Sequence, residues 1–342
     1  MEIPEISPTF PALICIVPSD FIIHRTHDWH LLTGEIILQT RNLGKQYKHR
    51  WAVHHLDLEV HRGDVFGFLG PNGAGKSTTI RMLLSLIRPT EGEVFLFGKS
   101  LAKEREKALE SIGGIVEKPD FYGYLTAYRN LEIVGALNGG TTRKRIEEVL
   151  SLVGLSTRAR DKVKTYSHGM KQRLGIAQSL LADPEFVILD EPTSGLDPQG
   201  MKEIRELIRH LAADQNKTVM LSSHLLNEVE LVANRMAVIN RGELVTQGEV
   251  ASLLEKGEKS VTVRAKPMEK VKLVLSSHRG VEKVVETEEE FLVTMPFEGI
   301  PELARALVRE QVDIEALVPR RSLEEYFLSI TESDTKAGKD KG

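Results

Sequence analysis

The sequence predicts an α/β fold. A mixed opening sheet leads to a mostly parallel, helix-covered sheet broken by a helical insertion, and a small α+β domain of βαββαβ order follows. Three observations carry this expectation. The second half of the first 249 residues alternates short apolar strands with helically spaced segments, the pattern of a parallel sheet covered on both faces. A glycine cluster at 70–75 stands between an apolar strand and a helix. Past Gly248 the pattern changes to strand, helix, two strands, helix, strand.

The composition bounds the reading. The chain has 342 residues, 41% hydrophobic and 27% charged, which is enough apolar material for two domains and too much for a disordered chain. With 45 Lys and Arg against 49 Asp and Glu, the net charge of -4 gives no general attraction to polyanions, so no nucleic-acid partner is expected. The single cysteine, Cys15, excludes an intrachain disulfide and a Cys-based zinc site and points to a reducing compartment. The longest apolar run, Phe10 to Val17, falls far short of the roughly 20 residues a spanning helix needs. Glu2 and Glu5 stand where a signal peptide carries basic residues, so a cytoplasmic protein is expected.

Residues 1–34 contain Pro4, Pro8, Pro11 and Pro18 and show neither period, which predicts an irregular extension. Alternation predicts strands at Glu35 to Thr40, Trp51 to Val60 and Val65 to Leu69. A helix is expected over Lys76 to Ile87, stopped by Pro89, then a strand over Glu93 to Phe97 and a helix over Leu101 to Leu109. Helical patterns at Ala127 to Leu137 and Arg143 to Val153 fall in an insertion at about 118–168. Helix Gly169 to Ala182, strand Phe186 to Leu189, helix Pro198 to Ala212, strand Thr218 to Ser222, helix Leu225 to Val232 and strand Arg235 to Ile239 complete a domain at 35–249. A second domain is expected at 250–331. It opens on a helix at Val250 to Leu254, continues as βαββαβ between Ser260 and Val318, and closes on a helix over Ser322 to Ile330. Residues 332–342 are polar and read as a disordered tail.

The chemistry starts at Gly70-Pro71-Asn72-Gly73-Ala74-Gly75-Lys76-Ser77-Thr78, which fits the phosphate-loop pattern G-x-x-x-x-G-K-[ST] between strand and helix. Glycines let backbone N–H groups converge on phosphates, and the helix adds its positive end. Lys76 can bridge terminal phosphates, and the Ser77 hydroxyl can ligate Mg2+. Phe186-Val187-Ile188-Leu189-Asp190-Glu191 is an apolar strand ending in two carboxylates. Alternation sends the two to opposite faces, so Asp190 reads as the Mg2+ holder and Glu191 as the base for an attacking water. A guanine reader would need N-K-x-D. The nearest string, Asn216-Lys217-Thr218-Val219, lacks the Asp, so ATP is favoured over GTP.

Further stations follow in order. Tyr166-Ser167-His168-Gly169-Met170-Lys171-Gln172-Arg173-Leu174 resembles the LSGGQ signature, with His168 and Met170 departing from its usual glycine and glutamine. Ser194-Gly195-Leu196-Asp197 looks like a D-loop, and Ser222-Ser223-His224 looks like a switch-loop histidine at a strand end. Together with the phosphate loop these motifs resemble the nucleotide-binding subunits of ABC transporters. Asn72, the single cassette, the C-terminal extension and an acidic Glu117 in place of the usual glutamine make the chain similar to the bacitracin-type, ABC-2 drug-export branch. The likeness is strong over about 35–249 and weak beyond it.

That resemblance implies an ABC-type P-loop NTPase fold with a RecA-like sheet, with ATP and Mg2+ as ligands. It implies adenine stacking on Tyr47, γ-phosphate and water contact by His224, coupling of two sites by Asp197, and Glu117 as a further Mg2+ ligand. It also implies that Ser167, His168, Gly169 and Met170 face ATP held by a second nucleotide-binding subunit, with a homodimer the expected form. Separate integral-membrane permease subunits would carry the cargo, with this chain peripheral on the inner face of the membrane and powering export. The alternative is a soluble ABC-type ATPase acting on nucleic acid or ribosomes. About 90 residues without heptads between Ser77 and Ser167 and a single cassette count against it.

Overall fold

The computed structural model describes residues 34–117, 119–137, 139–255 and 258–322. Residues 1–33, 323–342 and Lys118 lie outside that set, and with them the expected extension and tail. The chain divides into two compact units, which among the described residues are 34–255 and 258–322.

The first unit opens with β1 (Ile36–Tyr47), β2 (Arg50–Leu56), β3 (Glu59–His61), β4 (Val65–Leu69), α1 (Lys76–Leu83), β5 (Glu91–Leu96), β6 (Lys99–Ser100), α2 (Arg105–Leu109) and β7 (Ile112–Ile115). It continues with α3 (Ala127–Leu137), α4 (Arg143–Leu152), α5 (His168–Ser179), β8 (Phe186–Leu189), α6 (Pro198–Ala213), β9 (Thr218–Ser223), α7 (Leu226–Glu230), β10 (Arg235–Asn240), β11 (Glu243–Glu249) and α8 (Val250–Glu255). Five strands form an antiparallel sheet in which β1 pairs with β2, β3 and β5, and β6 extends β5. The other six run in the order β11-β10-β4-β9-β8-β7, and every pair is parallel except β10 with β11.

That order sets up the site. β4, β9 and β8 are neighbours in register, Leu69 beside Ser223 and Leu189 beside Leu221, so their C-terminal ends open onto one edge. In a parallel sheet such an edge is where connecting loops can gather a ligand. The strands are anchored by burial: Phe66, Phe68, Phe186, Ile188, Met220 and Ile239 pack with Ile80, Met82 and Leu83 of α1 in one core without solvent exposure.

The expected α/β class is what the structure has, with several local differences. The strand expected over Trp51 to Val60 divides at Asp57–Leu58 into β2 and β3, where the Thr40 side chain of β1 donates to the Leu56 carbonyl and accepts from Leu58 N–H in place of a backbone ladder. Helix α1 stops at Leu83 rather than Ile87. Ser85 turns left-handed (φ 55°), and Leu86 N–H donates back to the Arg81 carbonyl, a helix-ending turn before Pro89 is reached. The helix expected from Leu101 begins only at Arg105. Strand β11 has no counterpart in the sequence reading. Its alternation is weak because every residue is at most half-buried, and its hairpin turns on Arg241 and Gly242, both at positive φ.

The second unit contains β12 (Glu258–Lys266), α9 (Met268–Ser277), β13 (Lys283–Glu286), β14 (Phe291–Thr294), α10 (Ile300–Arg309) and β15 (Asp313–Ser322). Its fully antiparallel sheet has the order β13-β14-β12-β15, which is the split βαβ arrangement. Val261, Val263, Phe291 and Val293 face Val271, Leu275, Leu303 and Leu307 in a separate core. Ser322 ends β15 rather than starting the expected helix, and 323–330 lie outside the described residues. Among the described residues no helix is long and apolar enough to cross a membrane.

Phe66→Ala would empty a site with no solvent exposure at the centre of the parallel sheet. The expected loss is about 3–5 kcal/mol in urea unfolding, against about 0.5 kcal/mol or less for Leu273→Ala on the exposed face of α9.

Candidate functional site

Strand β4 delivers the chain into the 70–75 loop. A Cβ on Gly70 would stand 2.4 Å from the Ile239 carbonyl, and one on Gly75 (φ 109°) would stand 2.5 Å from the Ala52 carbonyl. Only glycine lets this loop pass so close to β2 and β10. Ala74 N–H donates to the Pro71 carbonyl and Gly242 N–H to the Ala74 carbonyl, which pins the loop from both sides. Gly75 is the N-cap of α1, so the helix's first N–H groups and its positive end open onto the loop. Pro71, Asn72 and Gly73 are exposed there, and Ser77 and Thr78 are half-buried on the first turn of the helix.

Lys76 is buried, and its Nζ donates to the carbonyls of Gly70 (2.7 Å) and Pro71 (3.3 Å). Burial pushes its ammonium below the ordinary lysine value, and the carboxylates of Glu191 and Asp190 pull in the other direction. Glu191 Oε1 stands 3.5 Å from Lys76 Nζ and 3.4 Å from His224 Nδ1. Three residues that the sequence nominated separately therefore meet at the shared edge of β4, β8 and β9.

Asp190 and Glu191 divide their orientations for a different reason than strand alternation. β8 ends at Leu189, and Glu191 takes a left-handed backbone (φ 48°) that turns its side chain toward Lys76. Ser222, on neighbouring β9 and with no solvent exposure, fixes both. Its hydroxyl donates to Asp190 Oδ1 at 2.6 Å and accepts from Glu191 N–H at 2.9 Å. Nothing in the local sequence marks Ser222 for this role. Its partners lie 31 and 32 residues away, and no local pattern marks them.

Other unforeseen residues hold the surroundings. One guanidinium nitrogen of Arg205 on α6 donates to both carboxylate oxygens of Glu228 at 2.7 and 2.8 Å. This partly buried pair ties α7, just past His224, to the helix that follows Asp197. Glu117, at the end of β7 beside β8, is paired with Arg81 of α1. Its carboxylate is mostly exposed and is charge-compensated by that guanidinium.

Tyr47 is half-exposed and lines a cavity of about 590 Å³ with Arg50, Trp51, Ala52, Gly73, Thr78 and Arg241. Lys45 Nζ lies 5.4 Å from the centre of its ring. The expected aromatic therefore shares a cavity with the phosphate loop, and Trp51 and Arg241 join it unforeseen.

Ser167 is the N-cap of α5 and accepts from Met170 N–H at 3.2 Å. Gly169 and Met170 lie in the first turn of that helix. His168 Nε2 reaches the Ser194 carbonyl at 3.3 Å, linking the first turn of α5 to the loop before α6. Asp197 is exposed and caps α6 by accepting from Gly200 N–H at 3.0 Å. Among the described residues Ser167 Oγ bonds its own helix and not the phosphate loop of the same chain.

Residues 53–194 match the family described as ABC transporter. The uncharacterized ABC transporter ATP-binding protein YhcH of Bacillus subtilis is 41% identical over 296 residues, covering 86% of this chain and 96% of that protein. The bacitracin transport ATP-binding protein BcrA of Bacillus licheniformis is 39% identical over 296 residues, covering 86% of this chain and 97% of its own. Among solved structures, a dimeric post-hydrolysis state of the ATP-binding cassette MJ0796 bound to ADP and Pi superposes with a TM-score of 0.57 at 27% identity. It covers 62% of this chain and 98% of its own.

Ser222→Ala would leave Asp190 Oδ1 and the Glu191 N–H without their shared partner. The expected cost is about 1–3 kcal/mol in urea unfolding, together with a lower kcat for ATP hydrolysis. An unchanged kcat would mean that Ser222 does not position the pair.

Proposed function

The chain belongs to the ABC transporter ATP-binding proteins and is an ATP-hydrolysing subunit, and from that premise we propose that it powers export through separate membrane-embedded permease subunits. The observation that carries the residue assignments is the Glu191 carboxylate standing between Lys76 and His224 at the edge of the parallel sheet.

In this reading the N–H groups of Gly70 to Thr78 cradle the phosphates of ATP. Lys76 leaves the loop carbonyls for the terminal phosphates, where a polyanion compensates the ammonium that burial disfavours. Tyr47, half-exposed beside the phosphate loop, receives the adenine. Glu191 takes a proton from the attacking water, and His224 holds that water and the γ-phosphate. The leaving ADP departs as the water oxygen bonds phosphorus, and the proton passes to the carboxylate.

The donor set around this site suits Mg2+, which takes oxygen ligands. The Ser77 hydroxyl is half-buried and the Asp190 carboxylate is oriented by Ser222. These two would hold the ion, which supplies charge neutralisation at the phosphates. Glu117 is proposed as a further oxygen donor, and its pairing with Arg81 compensates its charge beside the phosphate site.

The signature residues Ser167, His168, Gly169 and Met170 are assigned to the ATP of a second subunit, expected to be another copy of this chain. The support is that Ser167 caps an exposed helix start rather than meeting its own phosphate loop, and that the similar cassette MJ0796 is described as dimeric. Asp197, held on α6, would couple the two sites. The Arg205–Glu228 pair links the helices beside Asp197 and His224, so a shift in one is passed to the other. Export is favoured because the similar BcrA is named for bacitracin transport. The chain would then sit on the cytoplasmic face of the membrane, bound to its permease.

Glu191→Gln should lower ATP turnover at least about 100-fold while leaving nucleotide affinity intact. The variant should also elute as a dimer in ATP, and turnover near the wild-type rate would remove Glu191 as the base.

A further inference from the structure

We propose that the antiparallel sheet of the first unit carries a binding site for a first-row transition-metal dication, of the Zn2+ class, built from His54, His55 and Glu91. One ring nitrogen from each histidine and one carboxylate oxygen of Glu91 all lie within 4.8 Å of one another. The site is separate from the phosphate loop and does not depend on the assignments made for ATP hydrolysis.

The geometry is unusual for a strand. Successive side chains of a strand point to opposite faces, so adjacent histidines should be kept apart. Here the bulge between β1 and β2, with His55 at φ 48°, turns the chain so that the two rings meet with centroids 3.7 Å apart. Glu91 enters beneath them from β5 because β1 has glycine at 44. A Cβ there would lie 2.6 Å from Glu91 Cγ and 2.8 Å from its Oε1.

Glu91 Oε1 is buried without a hydrogen-bond partner among the described residues, and His55 Nδ1 is 3.8 Å away. A carboxylate oxygen removed from water in this way is expected to have a compensating group. A dication shared with two imidazoles supplies one.

The surroundings supply outer contacts. His54 Nδ1 lies 3.4 Å from Glu243 Oε1, the carboxylate-to-imidazole contact that fixes a tautomer and leaves Nε2 for a metal. His55 Nδ1 lies against Asn42 Oδ1. Two imidazoles and one carboxylate suit Zn2+, Co2+, Ni2+ or Cu2+, whereas Mg2+ prefers oxygen alone. Zn–N and Zn–O bonds of about 2 Å in a tetrahedron place ligand atoms about 3.3 Å apart. Side-chain rotation of His55, 60% exposed, and Glu91, 33% exposed, can close the remaining distance, and water can take the fourth position.

The site also has a reporter. The Trp51 ring stands 4.6 Å from the His54 ring and lines the cavity shared with Tyr47 and Thr78. A cation that fixes His54 would also fix that cavity wall.

The test is calorimetric titration of the untagged, nucleotide-free full chain with Zn2+ in Mg2+-containing buffer, with tryptophan fluorescence followed in parallel. Wild type should take up one equivalent with a change in emission. His55→Asn, which suits a left-handed backbone, and Glu91→Gln should each weaken that uptake about tenfold or more. His278→Ala in the second unit should bind as wild type does, and circular dichroism of each variant checks folding. Wild type without a stoichiometric uptake, or His55→Asn and Glu91→Gln both binding as tightly as wild type, would overturn the site.

Discussion

Everything in the candidate site depends on one carboxylate being held between two basic groups. Glu191 lies 3.5 Å from Lys76 and 3.4 Å from His224, and the three are delivered by the segments that leave β8, β4 and β9, Lys76 at the start of α1. Such a meeting requires the three strands to be parallel, adjacent and in register, and the sheet order β4-β9-β8 provides that. Ser222 then locks the acidic pair from inside the sheet, where no solvent competes for its hydroxyl. A buried hydroxyl with both its donor and an acceptor engaged is a rigid support, because losing either bond leaves an unsatisfied polar group.

The parts legible in the sequence are those with fixed local spacing. The loop at 70–75 and the helix start that follows it could be read because its glycines, Lys76 and Ser77 are contiguous. The acidic pair was legible from an apolar strand running into two carboxylates. The βαββαβ order of the second unit was visible because strand and helix periods alternate cleanly there. The parts that were not legible are tertiary. Ser222 bonds residues 31 and 32 positions away, and Arg205 meets Glu228 across 23 positions. Glu117 pairs with Arg81 across 36 positions, where Gly114 of β7 lies against Leu84 at the end of α1. Strand β11 was hidden because none of its residues is fully buried, and β3 because the break before it is made by the Thr40 side chain, which lies far away in sequence.

The bulge at His55 shows how one backbone irregularity can carry more than one consequence. It brings two imidazoles together, and does so next to the ring that lines the cavity at Tyr47. Departures from the family pattern likewise have a local physical account. His168, where a glycine is usual, reaches the Ser194 carbonyl and ties the start of α5 to the loop leading into α6. Glu117, where a glutamine is usual, is balanced by Arg81, so its extra negative charge is already compensated.

The central claim is that one chain holds only half of each working site, Lys76 on one copy and Ser167 on the other. The direct measurement is ATP hydrolysis by an equal mixture of Lys76→Ala and Ser167→Ala chains, co-refolded or co-expressed so that mixed dimers form. Each variant alone should be close to inactive. The mixture should recover activity far above either one, because a mixed dimer contains one whole site. A mixture no more active than its components, with mixed dimers present, or a Ser167→Ala chain that hydrolyses ATP at the wild-type rate by itself, would contradict the account.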